Sequence, residues 1–206
     1  MDQTWSSIHE ERHALSSDLA DLEPSQWSTP SLCSGWTVED VLAHMTATAK
    51  KSQSDFFVAL ASNGFRFNAM SARDLAKEKG SSGEATLENF NSTMDLTRHP
   101  PGPLMAMLGE QVVHGEDIRR PLGITRKYPE KSLTQVADFF KGSNLLLGGK
   151  KRIAGLTLRA TDTDWSTGSG PEVQGPMLSL VLMIAGRKVA LDDLTGDGLG
   201  ALRARA

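Results

Sequence analysis

Apolar residues recur at three-to-four-residue spacing through roughly the first 120 positions, the period of a helix with one buried face. Trp5, Ile8, Leu15, Leu19 and Leu22 make one such stripe and predict a helix over 2–22. Pro24 and Pro30 bracket a loop that holds Trp27. Thr37 opens a second helix as its N-cap, with Asp40 three residues on in the manner of a capping box. The stripe of this helix is Val38, Val41, Leu42, Met45 and Ala49, and the pattern continues through Phe56, Phe57 and Leu60 to Gly64. Phe65 to Gly83 is mixed and polar, and Gly80-Ser-Ser-Gly83 reads as a flexible loop. Leu87, Phe90 and Met94 predict a third helix over 84–98, stopped by His99-Pro-Pro-Gly-Pro103. Leu104, Met107, Leu108, Val112 and Ile118 predict a fourth over 104–120, ended by Pro121 and Gly123. Four helices of this kind make a bundle.

The pattern then changes. Ser132 to Leu147 reads as a fifth helix. Leu156, Leu158 and Ala160 alternate with Thr157 and Arg159, as in a half-buried strand. Gly168, Gly170, Pro171 and Gly175 mark turns, with a second short strand near Trp165 or Val173. Met177 to Gly186 is an apolar helix, and Leu199 to Arg205 a last amphipathic one. The fold class expected is therefore mainly α: a helical bundle over 1–123 and a small α+β segment over 124–206.

Composition narrows the function classes. The 206 residues are 39% hydrophobic and 23% charged, with a formal net charge of −3. That is globular composition, with no basic surplus to draw a nucleic acid. No run of about 18 apolar residues predicts a membrane span. The first residues lack the basic start and apolar stretch of a secretory signal. The single cysteine, Cys33, rules out an intramolecular disulfide. These features lead us to expect a cytoplasmic protein with no nucleic-acid or membrane partner.

Five histidines supply the candidate chemistry. His9-Glu-Glu-Arg-His13 matches the H-E-x-x-H string of metalloproteases. On the first helix, however, His13 lies roughly 130° from the centre of the apolar stripe, so the string reads as a solvated, charged turn. Glu110 and His114 are a better pair. Four residues apart on a helix, they project within about 40° of each other, at the edge of their stripe. His44 lies on the same rotational side of its own helix. A carboxylate with two imidazoles leaves a metal position open, the pattern of a catalytic zinc site, and the set also suits nickel or iron. Spacing alone only permits this site; a surface pair is the plain alternative. Asp117 is placed to hydrogen-bond His114, and Asp40 to do the same for His44, with helix-terminal and ion-pair roles as their alternatives. Cys33 has no evident base partner and reads as a buried loop cysteine, and Trp36 as a packing residue.

Two long segments carry a resemblance. Ser31-Leu-Cys-Ser-Gly-Trp-Thr-Val-Glu-Asp-Val-Leu-Ala-His44 and Gly109-Glu-Gln-Val-Val-His-Gly-Glu-Asp-Ile-Arg-Arg-Pro-Leu-Gly123 resemble the second and fourth helices of the mycothiol-dependent maleylpyruvate isomerase family, in the DinB-like superfamily. Asp162-Thr-Asp-Trp-Ser, Gly170-Pro-Glu-Val-Gln-Gly-Pro176 and Ala185-Gly-Arg187 extend the likeness into the tail. The resemblance implies a DinB-like bundle with the family's C-terminal domain behind it. It places the family's metal ligands on His44, Glu110 and His114, and its cleft-facing arginine on Arg187, which by itself reads as a helix-ending arginine that caps carbonyls. It implies a divalent metal, zinc first, with mycothiol as thiol cosubstrate and an electrophilic small molecule as substrate. The reaction would be isomerisation or S-transfer. A non-enzymatic metal- or ligand-binding module, and a thiol-independent metallohydrolase, remain open on the same fold.

Overall fold

The computed structural model describes residues 3–144 and 147–205. The chain divides into two compact units, 1–126 and 127–206.

The first unit is helical. Its elements are α1 (Gln3–Leu19), α2 (Val38–Lys50), α3 (Gln53–Ser62), α4 (Phe67–Glu78), α5 (Gly83–Asn91) and α6 (Leu104–Leu122). The bundle proper is α1, α2, α5 and α6; α2 packs on both α5 and α6, and α1 on both as well. Leu15, Leu19, Val38, Val41, Leu42, Met45, Leu87, Phe90 and Ile118 fill its core with Trp27. Each expected stripe supplies members of that core, as burial of a helical face requires.

Local chemistry sets the helix ends. Thr37 caps α2, and its side chain and that of Asp40 satisfy each other's backbone N–H. The expected long second helix is in fact two. Ser52 and Asp55 form a second capping box, so α2 stops at Lys50 and α3 restarts at Gln53. The box satisfies two N–H groups that the break leaves without helical partners. The polar stretch after Phe65 holds a further helix, α4. The third expected helix is shorter than read, ending at Asn91.

Gly80-Ser-Ser82 is the expected loop, but Gly83 belongs to the next helix. Ser82 caps α5, and Gly83 is its buried first residue. A Cβ on Gly83 would lie 2.1 Å from Cγ of Trp27. Only glycine lets the helix start so close to that indole.

The second unit holds α7 (Glu130–Gly142), α8 (Gly149–Arg152), α9 (Met177–Ile184), α10 (Leu199–Arg203) and three strands. These are β1 (Thr157–Ala160), β2 (Ser166–Gly168) and β3 (Glu172–Gly175), in the order β2-β1-β3. The expected fifth helix stops at Gly142; positions 145 and 146 of that reading lie outside the described residues. Both alternatives for the second strand occur, β2 antiparallel and β3 parallel to β1. Leu158 and Val173 are buried side by side, and α7 packs on α9. The whole is mainly helical with one small sheet, as expected. No helix among the described residues is long and apolar enough to cross a membrane.

Gly83→Ala tests the contact with Trp27. Overpacking against a buried ring should cost about 1–3 kcal/mol in urea unfolding. An unchanged midpoint would mean that the ring moves aside freely.

Candidate metal and thiol site

Pro121 organises the site through what it lacks. It sits in the last turn of α6 and has no N–H to give the carbonyl of Asp117, four residues back. The N–H of Leu32 takes that carbonyl instead, at 3.2 Å. The 31–36 segment is thereby tied to α6. It is a tight turn, closed by Trp36 N–H to Cys33 O at 3.0 Å, with Gly35 at φ +79°. A positive φ there costs glycine nothing.

The turn delivers Cys33 to α6. The Cys33 thiol donates to Asp117 Oδ2 at 3.1 Å, and its Sγ lies 3.7 Å from His114 Nδ1. His114 Nδ1 is 2.8 Å from the same carboxylate oxygen. Asp117 is fully buried and takes both donors. This is the role expected of Asp117 toward His114. The sequence reading gave Cys33 no partner, because the contact joins positions 84 residues apart through the Leu32 anchor.

His44 projects from α2 toward the same place. Its ring centroid is 5.2 Å from that of His114, edge to face, and 5.1 Å from the ring of Trp36. Glu110 lies one turn before His114 on α6. Its Oε1 is buried with no hydrogen-bond partner, and Thr48, one turn after His44, lies against the carboxylate. The rings of His44 and His114 are thus neighbours, and Glu110 acts electrostatically on His114, but among the described residues these three do not form a group whose ligand atoms all lie within 4.8 Å of one another. Among the described residues the ligand atoms of Cys33, His114 and Asp117 do all lie within 4.8 Å of one another.

The electrostatics are unequal. Burial pushes the His44 imidazole down to about 3, helped by the charges of His114 and Lys51. Burial also works against charge on His114. The Asp117 carboxylate, the Cys33 thiol and the charge of Glu110 outweigh it, and the group rises to about 10. Glu110 is pushed up to about 7 by burial, against the pull of His114 and Arg12. A neutral imidazole at His44, a buried carboxylate with an unpaired oxygen at Glu110, and a second imidazole that would give up its proton on binding are the donor types a divalent cation takes. Asp117 engages Nδ1 of His114, so Nε2 is the ring nitrogen without a carboxylate partner.

Three other features of the sequence reading find their places: Asp40 takes its helix-terminal alternative, Arg187 its carbonyl contact, and only the His9–His13 string departs from what was expected. Asp40 does not orient His44; it is spent on the Thr37 capping box and on Lys79, 2.7 Å away. The His9–His13 string is not a fully solvated turn. Arg12 is fully buried and Glu11 nearly so, the latter paired with Arg126 at 3.0 Å. His9 Nε2 meets the Leu96 carbonyl at 3.3 Å. Arg187, in the second unit, donates to Ala185 O at 3.4 Å, the carbonyl contact its position suggested.

His44 stands on α2, and Glu110 and His114 on α6. Residues 8–99 match the family described as Mycothiol maleylpyruvate isomerase N-terminal domain. Two crystal structures share the fold. One is of the mycothiol-dependent maleylpyruvate isomerase and one of a histidine-to-alanine mutant of it. Each is 15% identical and covers 95% of this chain and 92% of its own, with TM-scores of 0.65 and 0.66. No curated protein matches the chain.

Asp40 gives a pH test. Burial raises its carboxyl, and the Lys79 ammonium and the Thr37 donors outweigh that, holding it below the usual value. A depressed carboxylate stabilises the fold fully above about pH 4 and loses that contribution as pH falls through its lowered folded value. Asp40→Asn should therefore cost about 1 kcal/mol at neutral pH and flatten the acid limb of the stability profile. An unchanged acid limb would remove Asp40 from that stabilising role.

Proposed function

We propose that the chain is a mycothiol-dependent cytoplasmic enzyme holding one divalent ion between His44, Glu110 and His114. The observation behind this is the pair of imidazoles 5.2 Å apart beside a buried carboxylate oxygen that nothing else satisfies. The domain match and the shared fold support the thiol and the reaction class. Zinc fits the donor set first, with nickel or iron as further candidates. When bound, a divalent cation favours thiolate over thiol and so supplies a nucleophile at neutral pH.

The protein's own groups have separate tasks. His44 offers an uncharged nitrogen because burial keeps the proton off it. Asp117 fixes the tautomer and plane of His114 through Nδ1. Glu110 contributes negative charge. Trp36 shields one side of His44 from water. Arg187 is assigned as the cation that meets the substrate carboxylate or developing enolate, and residues 124–206 as the family's C-terminal domain.

Thiol addition to an activated cis double bond makes the carbon–carbon bond single. Rotation and elimination of the thiol then give the trans isomer. Retention of the new carbon–sulfur bond gives S-transfer instead.

One observation favours a second ligand set: the tight group of Cys33, His114 and Asp117. Two substitutions separate the readings. His44→Ala should abolish stoichiometric zinc by elemental analysis, while Cys33→Ser retains it. The opposite pattern assigns the ion to the cysteine set.

Arg187→Ala should retain zinc and lower kcat/KM with mycothiol about 10–100-fold, the loss of one charged hydrogen bond. Undiminished turnover would remove Arg187 from the reaction. Wild-type protein inert toward mycothiol and a panel of electrophiles would identify a binding module.

A further inference from the structure

Helix α3 has the composition of a packed helix and the burial of a surface one. Phe56 to Ala61 is an unbroken apolar run, yet no residue of the helix is buried. A helix of ten residues is marginal in water without an apolar face to pack. Of the five large hydrophobic side chains exposed among the described residues, four lie on α3, the turn after it and the first position of α4. They are Phe57 at 60%, Val58 at 70%, Phe65 at 77% and Phe67 at 57%. The Phe56 ring joins them into one patch, 5.6 Å from that of Phe57 and 6.4 Å from that of Phe67.

The backbone is strained in presenting this patch. Gly64 and Phe65 both take the left-handed region, at φ +62° and +59°. Glycine does so freely, whereas an aromatic residue there is an outlier held against a steric cost. That cost keeps the most exposed ring of the four out in water. Strain of this kind persists where it serves a function.

Area and charge both point to a second copy of the chain. At about 200 Å² for a whole phenylalanine, the four side chains leave on the order of 500 Å² of apolar surface in water. A homodimer interface of standard size takes about 800 Å² from each copy, about 65% of it apolar, and the patch supplies that apolar share. The rim is self-complementary. An antiparallel pair of α3 helices, with a two-fold axis between Leu60 and Ala61, brings the Asp55 end of each to the Arg66 end of the other. Asp55 is exposed, and its capping box uses only one carboxylate oxygen. Arg66 is exposed with no side-chain partner among the described residues. A two-fold axis makes one such couple into two. An anionic lipid surface would call for cations alone on the rim, and Asp55 opposes it.

We propose that the chain forms a two-fold homodimer through α3, with Phe57, Val58 and Phe65 of both copies at its centre and Asp55 facing Arg66 across it. The interface does not rest on the metal ligands proposed above.

Sedimentation velocity of the full wild-type chain at micromolar concentration, the weak end for an interface of this size, should show a dimer. Val58→Glu alters a side chain that supports no core, so it should give a monomer with the wild-type circular dichroism spectrum. Arg66→Glu should weaken the dimer about 10-fold or more by setting like charges together. Asp55→Lys in that background should recover it, because the couple is re-formed with its signs exchanged. Phe65→Gly removes the ring and relieves the left-handed backbone. It should weaken the dimer without lowering the melting temperature of dilute, monomeric protein.

A wild-type chain that stays monomeric overturns the proposal, and co-sedimentation of that monomer with phosphatidylglycerol vesicles assigns the patch to a lipid surface instead. A dimer that survives Val58→Glu also overturns it, by placing the interface elsewhere. Should Asp55→Lys, which opens the α3 capping box, lose helical signal, Val58→Glu and Phe65→Gly decide the question.

Discussion

The missing N–H of Pro121 is the constraint on which the site depends. A proline in the last turn of α6 leaves the carbonyl of Asp117 without its helical partner, and a buried carbonyl must be satisfied. Leu32 satisfies it, so the 31–36 turn docks at one register on α6. From that register follow the contact of Cys33 with Asp117, the common oxygen shared by Cys33 and His114, and the start of α2 at Val38 that carries His44 inward. The same residue therefore ends a helix and docks the turn that precedes another.

Asp117 raises a second issue, the management of charge without water. The first unit buries Arg12, Arg119, Glu11, Glu116 and Asp117 to 3% exposure or less. Most have visible compensation: Arg119 meets Asp18 at 2.7 Å, Glu11 meets Arg126, and Glu116 meets Arg120 at 3.2 Å. Breaking such a pair by removing one partner costs more than never having built it, about 3–5 kcal/mol. Specific pairing therefore fixes how α1 and α6 sit against each other more tightly than apolar packing alone would. Precise placement of groups on those two helices is what a binding site between helices needs.

How much of this was readable from residue order differs by feature. The stripes of α1, α2, α5 and α6 were legible because burial of one helical face leaves a period in the sequence. So were Thr37 with Asp40, and the pairing of His114 with Asp117, because all of these are local. The Ser52–Asp55 box was equally local, yet the apolar run on either side of it masked the break. Gly83 looked like loop glycine because its reason, the face of Trp27, lies 56 positions away in the chain. Cys33 and Arg12 were misjudged for the same cause. Their partners come from other helices, and helical periodicity says which side a residue faces but not what it meets there.

Trp36 has a further consequence. Its indole lies 5.1 Å from the His44 ring, close enough for the electronic state of the imidazole to change how the indole emits. The chain has four tryptophans, and Trp27 is packed deep in the core. The emission of Trp36 therefore responds to what happens at His44, as that of Trp5, 5.7 Å from the His9 ring and 6.1 Å from that of His99, responds to those imidazoles.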